Sequence, residues 1–227
     1  MIAVHLQDVH FRWASQTQDT LHIAELCIKQ GESVFIQGHS GSGKTTLLNL
    51  IAGVHCPQQG LIQVLETNLS TLSAIQRDQF RAQHVGIIFQ QFNLLPYLSL
   101  LENVQLPCQF STQRKAKAGD MLQTSLRLLD ELQIARSMLH KPVNTLSVGQ
   151  QQRVAVARAL IGQPEIIIAD EPTSALDTEN QQRFLDLLFN EVEQQGSTLI
   201  FVSHDPSLAT HFLTHIQLNE LNTANPK

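Results

Sequence analysis

Cysteine is scarce in this chain. Cys27, Cys56 and Cys108 are odd in number, far apart, and form no C-x-x-C pair. That pattern excludes a disulfide framework and a cysteine zinc site, and it points to a reduced, cytosolic compartment. Long apolar runs are also missing. No stretch approaches the 18 consecutive apolar residues of a membrane span, so a membrane role has to come through a partner. The first residues lack a basic segment followed by an apolar one, and no signal peptide is expected. Positive charge is short as well: 15 Lys and Arg against 20 Asp and Glu leave a net charge of −5. A nucleic-acid-binding face is therefore not expected. With 42% hydrophobic and 15% charged residues, the 227-residue chain holds enough apolar side chain for a sizeable core, and wholesale disorder is excluded. No internal repeat is visible.

The strongest local signal is Gly38-His39-Ser40-Gly41-Ser42-Gly43-Lys44-Thr45, a G-x-x-x-x-G-K-[ST] phosphate-binding loop. It follows the apolar run Ser33-Val34-Phe35-Ile36 and precedes Thr46-Leu47-Leu48-Asn49-Leu50-Ile51-Ala52, a helix-type run closed by Gly53. Strand, glycine loop and helix in that order are what the motif requires. Glycines let successive backbone N–H groups turn toward one anion, and the helix N-terminus adds its positive dipole end. Lys44 is expected on the β- and γ-phosphates of a nucleoside triphosphate, and the Thr45 hydroxyl on Mg²⁺.

The rest of the chain alternates strands and helices. Strands are expected near residues 2–13, 21–28, 60–65, 85–89, 166–169 and 198–202, and helices near 69–83, 122–132, 150–161 and 178–194. Residues 91–107 read as loop, with Pro96 and Pro107 as breakers. Residues 111–119, carrying Arg114, Lys115 and Lys117, read as a solvated basic connection, and the tail after Asn219 as frayed. The whole chain, 1–227, reads as one α/β domain with a mostly helical insertion over 91–163.

A triphosphate site also needs a carboxylate near Mg²⁺ and a group that orients or deprotonates water. The run Ile166-Ile167-Ile168-Ala169-Asp170-Glu171 supplies both: a buried strand with two acids at its C-terminal end, where open α/β sheets bind ligands. Asp170 is the expected Mg²⁺ carboxylate and Glu171 the general base. Leu146-Ser147-Val148-Gly149-Gln150 stands before the strong helix candidate and makes a second possible anion site, although the pattern by itself is more often a plain N-cap.

Taken together, the phosphate loop, Gln90, Leu146–Gln150, Asp170-Glu171, Ser174-Ala175-Leu176-Asp177 and His204 resemble, in this order, the ATP-binding subunit of an ABC transporter. The resemblance implies an ABC-type P-loop core with an N-terminal antiparallel β-subdomain and an inserted α-helical subdomain. It implies ATP and Mg²⁺ as cofactors, held by residues Gly38 to Thr46. It also implies a homodimer closing head to tail, so that Ser147, Gly149 and Gln150 of one copy meet the γ-phosphate held by Lys44 of the other. Gln90 would sense Mg²⁺ and the attacking water, Asp177 would join the two sites, and His204 would touch the γ-phosphate and steady Glu171. Trp13 is the first choice for an aromatic stacked on adenine and Phe11 the second. The remaining nine histidines are read as ordinary surface or core residues.

The stretch Gly86-Ile87-Ile88-Phe89-Gln90-Gln91-Phe92-Asn93-Leu94-Leu95-Pro96, with Leu101-Glu102-Asn103-Val104-Gln105-Leu106-Pro107, resembles the lipoprotein-releasing, macrolide-export and cell-division group. That resemblance implies a cassette peripheral at the cytoplasmic face of the inner membrane, with an integral membrane subunit docking near 90–107. Phe92, Leu94, Leu95, Leu98 and Leu100 are expected to be exposed there. Val148 replaces a glycine usual in the signature, His39 occupies a variable loop position, and Thr173-Ser174-Ala175-Leu176-Asp177 looks more like import subunits. Export or extraction from the membrane is the leading function. Mechanical control of an envelope enzyme is the alternative, and a soluble ATPase of repair or translation a lesser one.

Overall fold

The computed structural model describes residues 1–174, 176 and 178–224. In chain order the first elements are β1 (Ile2–Phe11), β2 (Leu21–Lys29), β3 (Ser33–Gln37), α1 (Lys44–Ile51), β4 (Gln59–Val64), β5 (Thr67–Asn68), α2 (Ala74–His84) and β6 (Val85–Ile88). Then come α3 (Leu100–Gln105), α4 (Pro107–Phe110), α5 (Thr112–Ala118), α6 (Met121–Glu131) and α7 (Val148–Leu160). The chain closes with β7 (Ile166–Asp170), α8 (Thr178–Gln195), β8 (Thr198–Ser203), β9 (Thr214–Gln217) and α9 (Leu218–Leu221). Two compact units result: Met1–Arg81 with Thr198–Lys227, and Ala82–Ser197.

The first unit holds an antiparallel sheet in the order β2-β1-β4-β5. Its inward residues Val4, Leu6, Ile28, Ile62 and Val64 are buried, as the alternation of β1 requires. The alternation changes phase at Gln7 and Asp8, both exposed, where the β1–β4 register shifts. This is a bulge, with Asp8 left-handed at φ 49°. In the same unit β3 runs parallel to β8 on one side and β9 on the other. Val34, Phe35 and Ile36 are wholly buried, and Phe35, Phe201 and Phe212 form an aromatic cluster with ring centroids 5.2–6.1 Å apart. The strand β9 had no clear signature in the sequence. The tail is anchored more firmly than its polarity implied: buried Asn222 accepts from His22 N at 2.9 Å and donates to Thr20 O at 3.0 Å.

The second unit pairs β6 with β7 in parallel and packs α3, α6 and α8 on α7. Two expectations fail here. Residues 91–107 are not all loop: Ser99 and Glu102 form a capping box that starts α3, and Pro107 both follows the end of α3 and opens α4. A first-turn proline needs no N–H partner, so it starts helices readily. Residues 111–119 are not a solvated connection either. Ser111 caps α5, and Arg114 points inward at 2% exposure.

Candidate functional site

The phosphate loop begins where β3 ends. Gly43 has φ 99°, and a Cβ there would stand 2.7 Å from a Leu21 methyl, so only glycine fits. Gly41, at φ 79°, needs glycine for its backbone alone. The Lys44 ammonium donates to Gly38 O at 2.7 Å and His39 O at 3.0 Å, which holds the cation inside the loop's own curve. The Ser42 hydroxyl oxygen is buried without a hydrogen-bond partner. A phosphate oxygen is the kind of group that satisfies it. Thr46 is buried, while Thr45, His39 and Ser40 are exposed.

Beside the loop lies a cavity of about 1030 Å³, walled by residues 15–20, by 39–42 and by Asn219 and Asn222. That is the size of a small-molecule site. Its wall begins at Ser15, two residues past Trp13. Trp13 is half-buried and stands nearly perpendicular to Phe11 and His55, with centroids 5.0 and 4.9 Å away. Phe11, the second candidate for adenine, is 4% exposed and belongs to the core, because its strand position turns it inward. His204 is exposed just past β8, where the Ser203 hydroxyl accepts from Asp205 N at 3.1 Å.

In the second unit, Asp170 ends β7 and Glu171 follows in a left-handed turn (φ 48°) at 7% exposure. A non-glycine residue with φ above zero is rare enough to mark a position imposed by its surroundings. Gln90 is exposed two residues beyond β6. Asp177, expected to join the two sites, lies outside the described residues.

The helix α7 organises this unit. At its N-terminus the Ser147 hydroxyl accepts from Gln150 N at 3.3 Å, and the Gln150 side chain accepts from Ser147 N at 3.0 Å. Ser147 and Val148 are exposed, and a Cβ on Gly149 would meet nothing within 4 Å. Val148 is helical with its side chain in solvent, so its β-branch strains nothing. Further along, Gln152 donates to Pro172 O at 2.5 Å, joining α7 to the turn after Glu171. Arg158 donates to Asn93 O at 2.6 Å and Phe92 O at 2.5 Å, joining it to the loop after Gln90. Burial lowers the Arg158 pKa to about 10, so it remains charged at neutral pH. Arg114 caps the other end of α7, donating to Ala159 O at 2.7 Å, Ile161 O at 2.9 Å and Val85 O at 3.3 Å.

Sequence reasoning missed Arg114, Gln152 and Arg158 as a set, and also Asn103. Buried Asn103 donates to Leu95, Leu98 and Ser99 carbonyls and accepts from Leu95 N. The usable signal was Arg158 on the apolar face of a helix pattern, where an arginine needs acceptors. These bonds also overturn part of the expected docking surface. Phe92 (8% exposed) and Leu100 (0%) face the interior, Leu94, Leu95 and Leu98 are half-buried, and Tyr97 (78%) is the exposed large side chain of the segment.

Thr45 carries a hydroxyl, Asp170 a carboxylate and Gln90 an amide oxygen. Such hard oxygens fit Mg²⁺.

The profile of the family described as "ABC transporter" matches residues 21–174. The chain is 39% identical, over 206 residues, to the lipoprotein-releasing system ATP-binding protein LolD of Bacteroides fragilis, covering 91% of this chain and 93% of that one. It is 39% identical over 184 residues to the macrolide export ATP-binding/permease protein MacB of Rhodopirellula baltica, covering 81% of this chain and 27% of that protein. Among solved structures it is similar to the ATP-binding cassette MJ0796 of Methanocaldococcus jannaschii, in a dimeric post-hydrolysis state bound to ADP and Pi. The TM-score is 0.83 at 34% identity, over 95% of this chain and 94% of that one.

Proposed function

The chain belongs to the ABC transporter family as an ATP-binding, ATP-hydrolysing subunit, and from that premise we propose that it drives a separate membrane-spanning subunit by closing in pairs around ATP. The observation that carries the pairing is the N-terminal turn of α7. Ser147 and Gly149 are presented there with no side chain in the way of an incoming phosphate. A helix start with a hydroxyl and open N–H groups is an anion site. The dimeric, ADP- and Pi-bound state of MJ0796 supports the same reading. We assign this end of the helix, with Gln150, to the γ-phosphate held by Lys44 of a second copy.

In each copy Gly38–Thr46 wraps the phosphates, and Thr45, Asp170 and Gln90 would hold Mg²⁺, which would supply charge neutralisation. Glu171 takes the proton of the attacking water, and its buried, strained position keeps the carboxylate aimed. His204 positions the water and Glu171. Trp13 carries the adenine, and Asp177 joins the two sites. Rigid bonds from α7 to the 92–93 loop and the 172 turn let closure at Ser147 move the segment after Gln90 as a body. The membrane subunit docks on 90–107, where Tyr97 is the exposed anchor. We assign the cassette to the cytoplasmic face of the membrane, working in export or extraction.

Glu171→Gln tests the assignment. Isotope-exchange or equilibrium binding should show retained ATP affinity, while turnover falls at least about 100-fold. Wild-type turnover in that variant would remove Glu171 from the mechanism.

A further inference from the structure

We propose that Asp8, His10 and His22 form a binding site for one divalent transition-metal ion of the Zn²⁺ class on the outer face of the antiparallel sheet. This site is separate from the nucleotide chemistry and does not depend on it. His10 and His22 are direct cross-strand partners of β1 and β2, and their rings stack with centroids 4.0 Å apart at 20°. The bulge at Gln7–Asp8 turns Asp8 to the same outer face. Gly60 is required opposite, because a Cβ there would come within 2.2 Å of Asp8 O. Asp8 Oδ1 lies 3.5 Å from Nε2 of His10 and 3.5 Å from Nε2 of His22. All three ligand atoms fall within 4.8 Å of one another.

The far side of each ring sets its chemistry. His10 Nδ1 lies 2.8 Å from Asp19 Oδ2, and a carboxylate only accepts, so Nδ1 donates there and Nε2 is the ring nitrogen left to face Asp8. His22 Nδ1 lies 2.7 Å from the Thr223 hydroxyl, which also donates to His22 O at 3.2 Å. In the tautomer whose Nδ1 donates to that hydroxyl, His22 Nε2 likewise turns a lone pair outward. The two Nε2 atoms and the Asp8 carboxylate thus converge on one point, the donor set a divalent ion takes. Outer groups that fix the tautomer in this way are what metal-binding histidines use.

Dimensions agree. Metal–ligand bonds of about 2.0–2.2 Å in a tetrahedron place ligand atoms roughly 3.3–3.5 Å apart. Both carboxylate edges already have that length. Closing on one ion requires the two stacked rings to splay so that each lone pair aims at it. Two imidazoles and one carboxylate suit Zn²⁺, Co²⁺ or Ni²⁺ better than Mg²⁺ or Ca²⁺, and water completes the set at this half-exposed surface. A bound ion would tie β1, β2, Thr223 and the Asp19 loop together. That loop is one wall of the cavity beside the phosphate loop.

The test uses untagged, nucleotide-free protein titrated with ZnCl₂ by calorimetry and with CoCl₂ by visible absorption. Cys27→Ser serves as background, because His5, Glu25 and Cys27 form a second cluster of this kind on the same two strands. One ion per chain should bind with four-coordinate Co²⁺ absorption. His10→Ala and His22→Ala should each weaken it at least tenfold while ATP binding stays unchanged. Asp19→Asn, which removes no ligand, should weaken it about tenfold through His10. His140→Ala should change nothing. The proposal is overturned if the Cys27→Ser protein takes up no ion at millimolar metal, or if His10→Ala and His22→Ala bind as well as their parent.

Discussion

Replacing Arg114 with methionine should destabilise the protein far more than any other change in the basic stretch around it. The guanidinium donates to three backbone carbonyls, of Val85, Ala159 and Ile161. Two of these end α7, where the carbonyls have no partner in the helix and the dipole favours a cation. Methionine fills similar volume but leaves all three acceptors buried and unpaired. At about 1 kcal/mol each the loss is about 3 kcal/mol. Burial already disfavours the charged form, bringing the Arg114 pKa down to about 10, so relief of that strain offsets part of the loss. For a chain of this size about 3 kcal/mol lowers Tm by roughly 6–12 °C. Differential scanning calorimetry reads this directly. Arg114→Lys, which keeps the charge but lacks the planar fork, should lose about half as much. Lys115→Met, one residue on and exposed, should shift Tm by under about 2 °C. Equal shifts for Arg114→Met and Lys115→Met would refute the reasoning.

Three further outcomes follow from the same bonds. Gly43→Ala forces a side chain against Leu21 at φ 99°, and ATP affinity measured by fluorescence titration should fall at least tenfold, a loss of about 1.4 kcal/mol. Asn103→Ala orphans the backbone groups of 95–99 and should lower stability by about 2–3 kcal/mol, and hydrogen exchange should show faster opening of that segment. Glu165 gives an acid effect. Burial raises its pKa, but bonds from His84 and Lys117 outweigh that and bring it from 4.5 down to about 2. A lowered carboxylate contributes stability that is present above pH 4.5 and lost as pH falls toward 2. That span corresponds to ~3 kcal/mol at most, and solvent screening of a side chain 35% exposed brings it to about 1 kcal/mol. Glu165→Gln should flatten the acid limb of a Tm–pH curve by that amount.

Legibility in the sequence tracked how local each feature is. The phosphate loop, β7 with its two acids and the start of α7 each depend on a few adjacent residues, so their patterns were sufficient. The exposed-looking segment 91–100 was misread because Arg158 and Asn103 hold its backbone from a distance, and no local periodicity reports that. Arg114 was misread because its neighbours Lys115 and Lys117 are exposed, and its acceptors lie about 30 to 50 positions away in the chain. His10 and His22 looked ordinary until strand register set them opposite each other and the bulge brought Asp8 beside them. The strand β9 was invisible for the opposite reason: Thr214–Gln217 is short and polar, and pairing with β3 alone makes it a strand.

The central claim is that Lys44 and Thr45 hold an ATP whose other half-site, Ser147 and Gly149, stands on a second copy. ATPase rate per chain, measured across protein concentration with the association state followed by sedimentation, tests it most directly. The account predicts a rate per chain that rises with concentration in step with the dimer fraction, and that is abolished by Ser147→Arg without loss of ATP binding. A constant rate per chain from a species that stays monomeric would contradict it.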